Sequence, residues 1–416
     1  MVAAWIAIGI SGIGLTQAII AAALVIRFRR RTDSAVGLRM RLAAPVVHSD
    51  ESPPVSVLKP LHGDEPLLEE ALASVFRQDY GRVQIVFGVQ DAADAALPVV
   101  RRLQARFADC DTAVVIDATE HGPNRKVANL INMLPAAKHD VLVIADSDVH
   151  VAADWLRRLV AALEAPCVGL VTTVYTGLPF FLVSSPVSGA RGASQSSRPG
   201  LPCNGHGRSI WARLPSLLGA LQINQYFLPG ALLARALGRQ DCLGATMMLR
   251  RHTLERVGGL GALVDHLADD NVLGRLVQRL GLAVALADTV PATTVPEATL
   301  GALWRHELRW ARTIRALVPR QFAASVLQYP LAWATLGALL ADGAPASLLW
   351  LANVWGARAL ASYGIDRALA LAGGSPVWLL PLRELMSLAV MVASYAGRKV
   401  DWRGHKLEAE GFDPQW

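Results

Sequence analysis

From Val2 to Ile26 the chain carries no charged residue, and Arg27, Arg29, Arg30 and Arg31 follow at once. As a helix at about 1.5 Å per residue the run reaches about 37 Å, enough to cross a bilayer with some tilt. It lacks a basic start and a small-residue cleavage site, so residues 1–27 read as an uncleaved anchor rather than a leader. The arginines just after it predict that everything from residue 27 onward lies on the cytoplasmic side. The rest of the composition limits what can follow such an anchor. The chain is 53% hydrophobic with a mean hydropathy of +0.34. That is too apolar for an ordinary soluble enzyme, yet the middle is too charged for a protein made only of membrane helices. One soluble domain with additional membrane segments is expected. The net charge of +6 suits anionic headgroups and phosphorylated ligands. No aromatic-basic groove pattern is present, so no nucleic-acid partner is expected. Cys110, Cys167, Cys203 and Cys242 are scattered without metal-ligand spacing and read as free thiols in a reducing compartment.

Residues 28–52 read as a linker ending at Ser52-Pro53-Pro54, after which strands and helices alternate. Strands are expected at Val55–Leu58, Val83–Val89, Thr112–Ile116 and Val141–Ala145. Helices are expected over 66–78, 93–108 and 125–133. Short apolar runs separated by helices of this length predict an α/β, Rossmann-like domain with a mainly parallel sheet. Its expected extent is 53–318. Within it, residues 177–210 are rich in Gly, Ser and Pro and read as a flexible insertion.

The tripeptide Asp146-Ser147-Asp148 follows the apolar run Val141–Ala145, at a strand's carboxyl end, where ligands of open α/β sheets gather. Two carboxylates at i and i+2 suit one hard divalent cation, Mn²⁺ or Mg²⁺, which in turn holds a diphosphate. Three more places share this setting. Asp91 ends the second strand. Asp269-Asp270 opens a helix, where simple capping would also explain acids. The segment Arg305 to Arg312 is a basic helix bearing Trp310, a pattern that also suits a helix lying on a membrane surface.

Taken in order, Asp91, Asp146-Ser147-Asp148, Asp270 and Arg309-Trp310 resemble the D, D, D, (Q/R)-x-x-R-W signature of family 2 and family 21 glycosyltransferases. The segments Val57–Gly63, Gly88–Asp91, Asn124–Leu130 and Gly244–Arg250 are similar to the ceramide glucosyltransferase family. Leu130–Pro135 and Arg305–Arg315 most resemble its bacterial, hopanoid-associated branch. The resemblance spans about residues 53–318. It implies a GT-A type cytoplasmic domain that transfers a sugar from a UDP-sugar to a membrane lipid with inversion. The expected pairing is N-acetylglucosamine with a hopanoid polyol; the alternative is glucose with ceramide. The roles it implies are Asp270 as general base, Asp146 and Asp148 as metal ligands, and Asp91, Lys126, Asp146 and Arg309 as nucleotide-sugar contacts. Trp310 either floors the acceptor site or anchors its helix at the interface. His306 departs from Q/R at the first motif position, which argues against a polymer synthase. A scaffold without turnover is the remaining alternative, yet all three aspartate positions are filled. Asn271 stands where an aromatic residue commonly follows the third aspartate.

About three C-terminal membrane helices are expected over 319–397: Phe322 to Ala341, and more weakly 345–365 and 376–396, which charges interrupt. A basic tail, 398–416, is expected in the cytoplasm. The segment Leu221 to Leu233 reads either as an interfacial stretch or as a buried helix. The expected location is a bacterial inner membrane, with the active domain facing the cytoplasm.

Overall fold

The structure, a computed structural model, describes residues 1–42, 52–181, 210–371, 373–397, 399–402 and 405–408. Helix α1 (Val2–Leu42) comes first. The α/β domain begins with β1 (Val55–Pro60), α2 (Leu68–Phe76), β2 (Val83–Val89), α3 (Ala96–Arg106) and β3 (Asp111–Ile116). Then come α4 (Arg125–Met133), β4 (Val141–Ala145), β5 (Val149–His150), α5 (Trp155–Leu163), β6 (Val168–Thr172) and β7 (Thr176–Pro179). After α6 (Ile210–Gln222), a π-helix (Ile223–Phe227) and α7 (Leu228–Ala236), the chain returns through β8 (Thr246–Arg250), α8 (Arg251–Arg256) and α9 (Asp269–Arg279). It closes the domain with β9 (Ala283–Leu286) and β10 (Ala292–Val295).

The main sheet has the order β3-β2-β1-β4-β8-β6-β9. Strands β1, β2, β3 and β4 pair in parallel, and only β8 runs against its neighbours β4 and β6. This is the mainly parallel α/β sheet expected from the sequence. Every residue of β4 is buried, because helices cover both faces and leave no alternation to read. The chain moves outward from β1 to β3, then crosses back to place β4 on the other side of β1. That reversal opens a crevice at the carboxyl ends of β1 and β4, the usual place for a ligand. A smaller sheet, β5-β10-β7, closes over that end. Of the expected insertion 177–210, residues 177–179 belong to β7, and residues 182–209 lie outside the described residues.

The C-terminal third is helical: α10 (Leu300–Leu317), α11 (Pro319–Ala324), α12 (Pro330–Leu340), α13 (Pro345–Leu369) and α14 (Leu380–Ser394). A hairpin, β11 (Lys399–Trp402) with β12 (His405–Glu408), follows. Among the described residues, Val2–Arg31 and Val377–Ser394 are long and apolar enough to cross a membrane. The expected span Phe322 to Ala341 corresponds to a pair of apolar helices, Pro319–Gln328 and Pro330–Leu340, bent by 63° at a break before Pro330. Residue Tyr329 precedes that proline and is pushed out of the helical region, at φ −109° and ψ 68°. The Glu384 carboxylate accepts from the freed Leu331 N–H at 2.6 Å and the Ala332 N–H at 3.1 Å, which fixes the bend. Helix α13 is long enough but does not qualify as a span by composition.

The charges that interrupt these apolar runs turn inward and find partners, as ionisable groups in such helices must. Arg383 is wholly buried and donates to both carboxylate oxygens of Glu307 on α10, each at 2.7 Å. Arg358 lies over the Tyr226 ring, whose hydroxyl donates to Glu384 at 3.0 Å. Gln225 donates to Asp366 at 2.8 Å. Leu221 to Leu233 is thus a buried helical segment, of its two readings, and its π-helix faces three directions. Asn224 pins Gly177 of β7 through both of that residue's backbone groups, Gln225 reaches α13 and Tyr226 reaches α14. Gly14 lets α1 approach the turn before the bend, since a Cβ there would lie 2.2 Å from the Leu327 carbonyl oxygen.

Candidate active site

Two loops and a helix start converge on the aspartates. Asn124 caps α4, its side-chain oxygen accepting from Val127 N–H at 3.1 Å. The same residue donates from its amide to His266 O at 2.7 Å, and its N–H donates to Val264 O at 2.9 Å. It therefore holds the loop that leads into α9 and brings Asp269 and Asp270 beside Lys126, two residues along from the cap. Lys126 Nζ lies 2.7 Å from Asp146 and 3.7 Å from Asp269. Burial opposes its charge, but the Asp146 and Asp269 carboxylates overcome that and hold its pKa above the ordinary lysine value.

Asp148 receives the hydroxyl of Thr293 from β10. Burial first, and the Asp146 charge second, push its pKa up to about 7. Ser147 faces the other way and donates to Glu65 at 2.5 Å. Beneath the tripeptide, the amine of Lys59 reaches from β1 to the Asp146 carbonyl oxygen. It is wholly buried, and burial lowers its pKa to about 8 despite the surrounding acids.

Asp270 sits at the first turn of α9 and accepts from the Asn271 N–H at 2.8 Å. Burial and the adjacent Asp269 charge push its pKa up to about 7. Gly244 lets it approach β8, because a Cβ there would stand 3.0 Å from the Asp270 carboxylate. Capping alone does not account for such a residue: it is a half-buried carboxylate within a cluster of acids and one lysine, which raises its pKa. Tyr175 is close enough to Asp270, Asp146 and Asp148 for their charges, after burial, to raise its hydroxyl pKa.

The remaining residues singled out in the sequence are arranged around this cluster. Asp91 is exposed just past β2, its carboxylate accepting from Ala93 N–H at 2.8 Å. Only β1 separates β2 from β4, so Asp91 stands about 10 Å across the sheet from the Asp146 strand. Arg309 and Trp310 lie on α10. Trp310 packs with Tyr175 and Phe227 on the cluster of Ala220, Ile223 and Val295. His306 meets the buried Glu297 through Nδ1, and its ring stands edge-on to Trp310 with centroids 4.6 Å apart. Lys59, Glu65, Tyr175, Thr293 and Glu297 were not named as site residues from sequence. A lysine in an otherwise apolar strand was a visible signal for the first; the others carry no local signal.

Among the described residues no group of three or more His, Cys, Asp or Glu side chains forms a metal cage. The donor set still fits a hard cation. Asp146 and Asp148 supply oxygens of like charge whose mutual repulsion a cation would relieve. Magnesium-type ions commonly take only one or two carboxylates and complete their shell with water and substrate phosphates.

Comparison with known proteins adds a family. The model of glycosyl transferase family 21 matches residues 15–183 and 202–411. A ceramide glucosyltransferase of Gibberella zeae is 32% identical over 128 residues, covering 28% of this chain and 24% of that protein. Ceramide glucosyltransferase 1 of Caenorhabditis elegans is 21% identical over 276 residues, covering 66% of this chain and 53% of that protein. The matches thus span between a quarter and about half of the length of these relatives. Among solved structures, a mannosyltransferase from Pyrobaculum calidifontis in complex with GDP-Man and Mn²⁺ overlays with a TM-score of 0.44 at 19% identity. It covers 93% of this chain and 99% of that one.

Proposed function

The chain belongs to glycosyl transferase family 21, and from that premise we propose that it is a membrane-bound, inverting glycosyltransferase. It moves a sugar from a UDP-sugar to a hydroxyl of a membrane lipid. The observation that carries this reading is the geometry of the aspartate cluster, in which Lys126 lies 2.7 Å from Asp146 and 3.7 Å from Asp269, with the half-buried Asp270 next in the chain; the raised pKa of Asp270 is consistent with it. A general base works best with a pKa near the working pH.

The nucleotide lies across the carboxyl ends of β1, β2 and β4, with its base toward Asp91. Asp146 and Asp148 are the residues that hold the divalent cation, Mn²⁺ or Mg²⁺; when bound, it neutralises charge on the diphosphate. Lys126 and Arg309 add fixed positive charge for the phosphates. Asp270 accepts the proton of the lipid hydroxyl while its oxygen attacks the anomeric carbon. The bond from that carbon to the diphosphate oxygen breaks, and UDP leaves with the electron pair. One base and one displacement invert the centre, so an α-linked donor gives a β-glycoside. The apolar helices supply the membrane attachment, and residues 53–318 are the transferring unit, facing the cytoplasm of a bacterial inner membrane.

Two substrate pairs follow from different observations. The similarity of Leu130–Pro135 and Arg305–Arg315 to the hopanoid-associated branch favours N-acetylglucosamine and a hopanoid polyol. The names of the relatives favour glucose and ceramide. Membranes containing the protein should be incubated with labelled UDP-N-acetylglucosamine or UDP-glucose, with and without each lipid. Label in a hopanoid from the first donor supports the first pair. Label only in ceramide from UDP-glucose replaces it with the second, and no lipid labelling in any combination refutes the transferase reading.

A further inference from the structure

His306 is the residue at which this chain departs from its motif, and its surroundings are built rather than incidental. Its Nδ1 is engaged by the buried carboxylate of Glu297. A carboxylate oxygen accepts, so Nδ1 carries the hydrogen and Nε2 of the neutral ring is left as an acceptor. Among the described residues Nε2 makes no hydrogen bond, and the His306 side chain is 31% exposed. Trp310 fixes the ring from the side at 4.6 Å. Two connections tie this acceptor to the elements that carry the aspartate cluster. Trp310 shares an apolar cluster with Tyr175, which feels the Asp270, Asp146 and Asp148 charges. Glu297 also follows β10, the strand whose Thr293 donates to Asp148. Glu297 is four positions along from Thr293, so their backbones are no more than about 14 Å apart.

We propose that His306, held by Glu297 and walled by Trp310, binds a hydrogen-bond-donating group of the acceptor lipid, a hydroxyl or amide N–H neighbouring the hydroxyl that receives the sugar. The site rests on the transferase reading and deepens it: it selects lipids with two polar groups in the head over simple alcohols. His306 touches the acceptor, and Glu297 is a positioning residue that sets its tautomer.

The test uses the full-length protein in membranes and the acceptor identified by the labelling assay. Beside it goes an analogue with the neighbouring donor removed, a deoxy polyol lipid or an N-methylated ceramide. Wild type should show an acceptor KM about tenfold higher for the analogue, the cost of one lost hydrogen bond in a built site. His306→Ala should raise the KM for the natural acceptor by a similar factor and no longer distinguish the two lipids. Its donor KM should be unchanged. Glu297→Leu should behave like His306→Ala, whereas Glu297→Gln, whose carbonyl oxygen still accepts from Nδ1, should restore discrimination. The inference is overturned if His306→Ala keeps the wild-type preference, or if it lowers kcat equally for both lipids with unchanged acceptor KM. A wild type that labels no lipid overturns the transferase reading as well, which separates the two failures.

Discussion

At saturating divalent metal, lipid glycosylation should rise with pH through the ionisation of Asp270; Asp148, also raised to about 7, would be held ionised by the bound cation. Its pKa is pushed to about 7 by burial and by Asp269. A raised carboxyl pKa leaves the base protonated and idle below that value, so activity is present above it and is lost as pH falls. The ionised fraction changes from about 0.09 near pH 6 to about 0.9 near pH 8, giving about a tenfold rise in kcat over that interval. A carboxyl at its ordinary 3.8 would give a flat profile across the same range. Asp270→Asn should lower kcat by about 10²–10⁴ while binding UDP-sugar nearly as well, because the lost group serves only proton transfer. Asp269→Asn removes the neighbouring negative charge and should move the rising limb to lower pH. Initial rates at saturating donor and acceptor, in overlapping buffers, measure all three. A flat wild-type profile between about pH 6 and about pH 8, or Asp270→Asn within about threefold of wild-type turnover, would refute the assignment.

Chelation of divalent metal should abolish lipid labelling and Mn²⁺ or Mg²⁺ should restore it, whereas Asp148→Asn should need far more metal for the same rate; labelling that persists in chelator removes the role given to Asp146 and Asp148. Arg383→Ala leaves Glu307 buried without its partner and should cost about 3–5 kcal/mol of stability, while Arg383→Met with Glu307→Leu should recover most of it; thermal unfolding in detergent reads both. Gly14→Ala sets a methyl carbon 2.2 Å from the Leu327 carbonyl oxygen and should cost about 1–3 kcal/mol as α1 is forced off the bend, seen as a lowered unfolding temperature.

Much of the α/β domain was legible because its signals are local. The runs Val83–Val89 and Val141–Ala145 and the helix Arg125–Met133 form with the expected ends, since each is bounded by turn residues or a capping Asn. The aspartates were legible for the same reason: each follows a strand or opens a helix. What escaped was set by distant partners. Thr293 donates to Asp148 across 145 residues, and Tyr226 reaches Glu384 across 158. The stretch expected at Phe322 to Ala341 forms two apolar helices bent by 63° rather than a single one. Hydropathy counts composition and is blind to direction, although Pro330 in mid-run was a visible reason for the chain to turn.

The π-helix Ile223–Phe227 has a consequence for how this protein can vary. A π-helix accommodates one more residue per turn than its α-helical flanks, and here each of its polar side chains answers to a different element. Deleting one residue would let the segment close to an α-helix with its flanks still in register, but would remove the wide turn from which Asn224, Gln225 and Tyr226 reach three different elements. Leu228 and Leu232, buried against α1 and α13, would keep their seats, so the cost would fall on the polar contacts. Substitutions here can be tolerated one at a time, but the number of residues between Asn224 and Leu228 cannot change without losing those contacts together. Among members of this family that keep the three contacts, this stretch should hold its length.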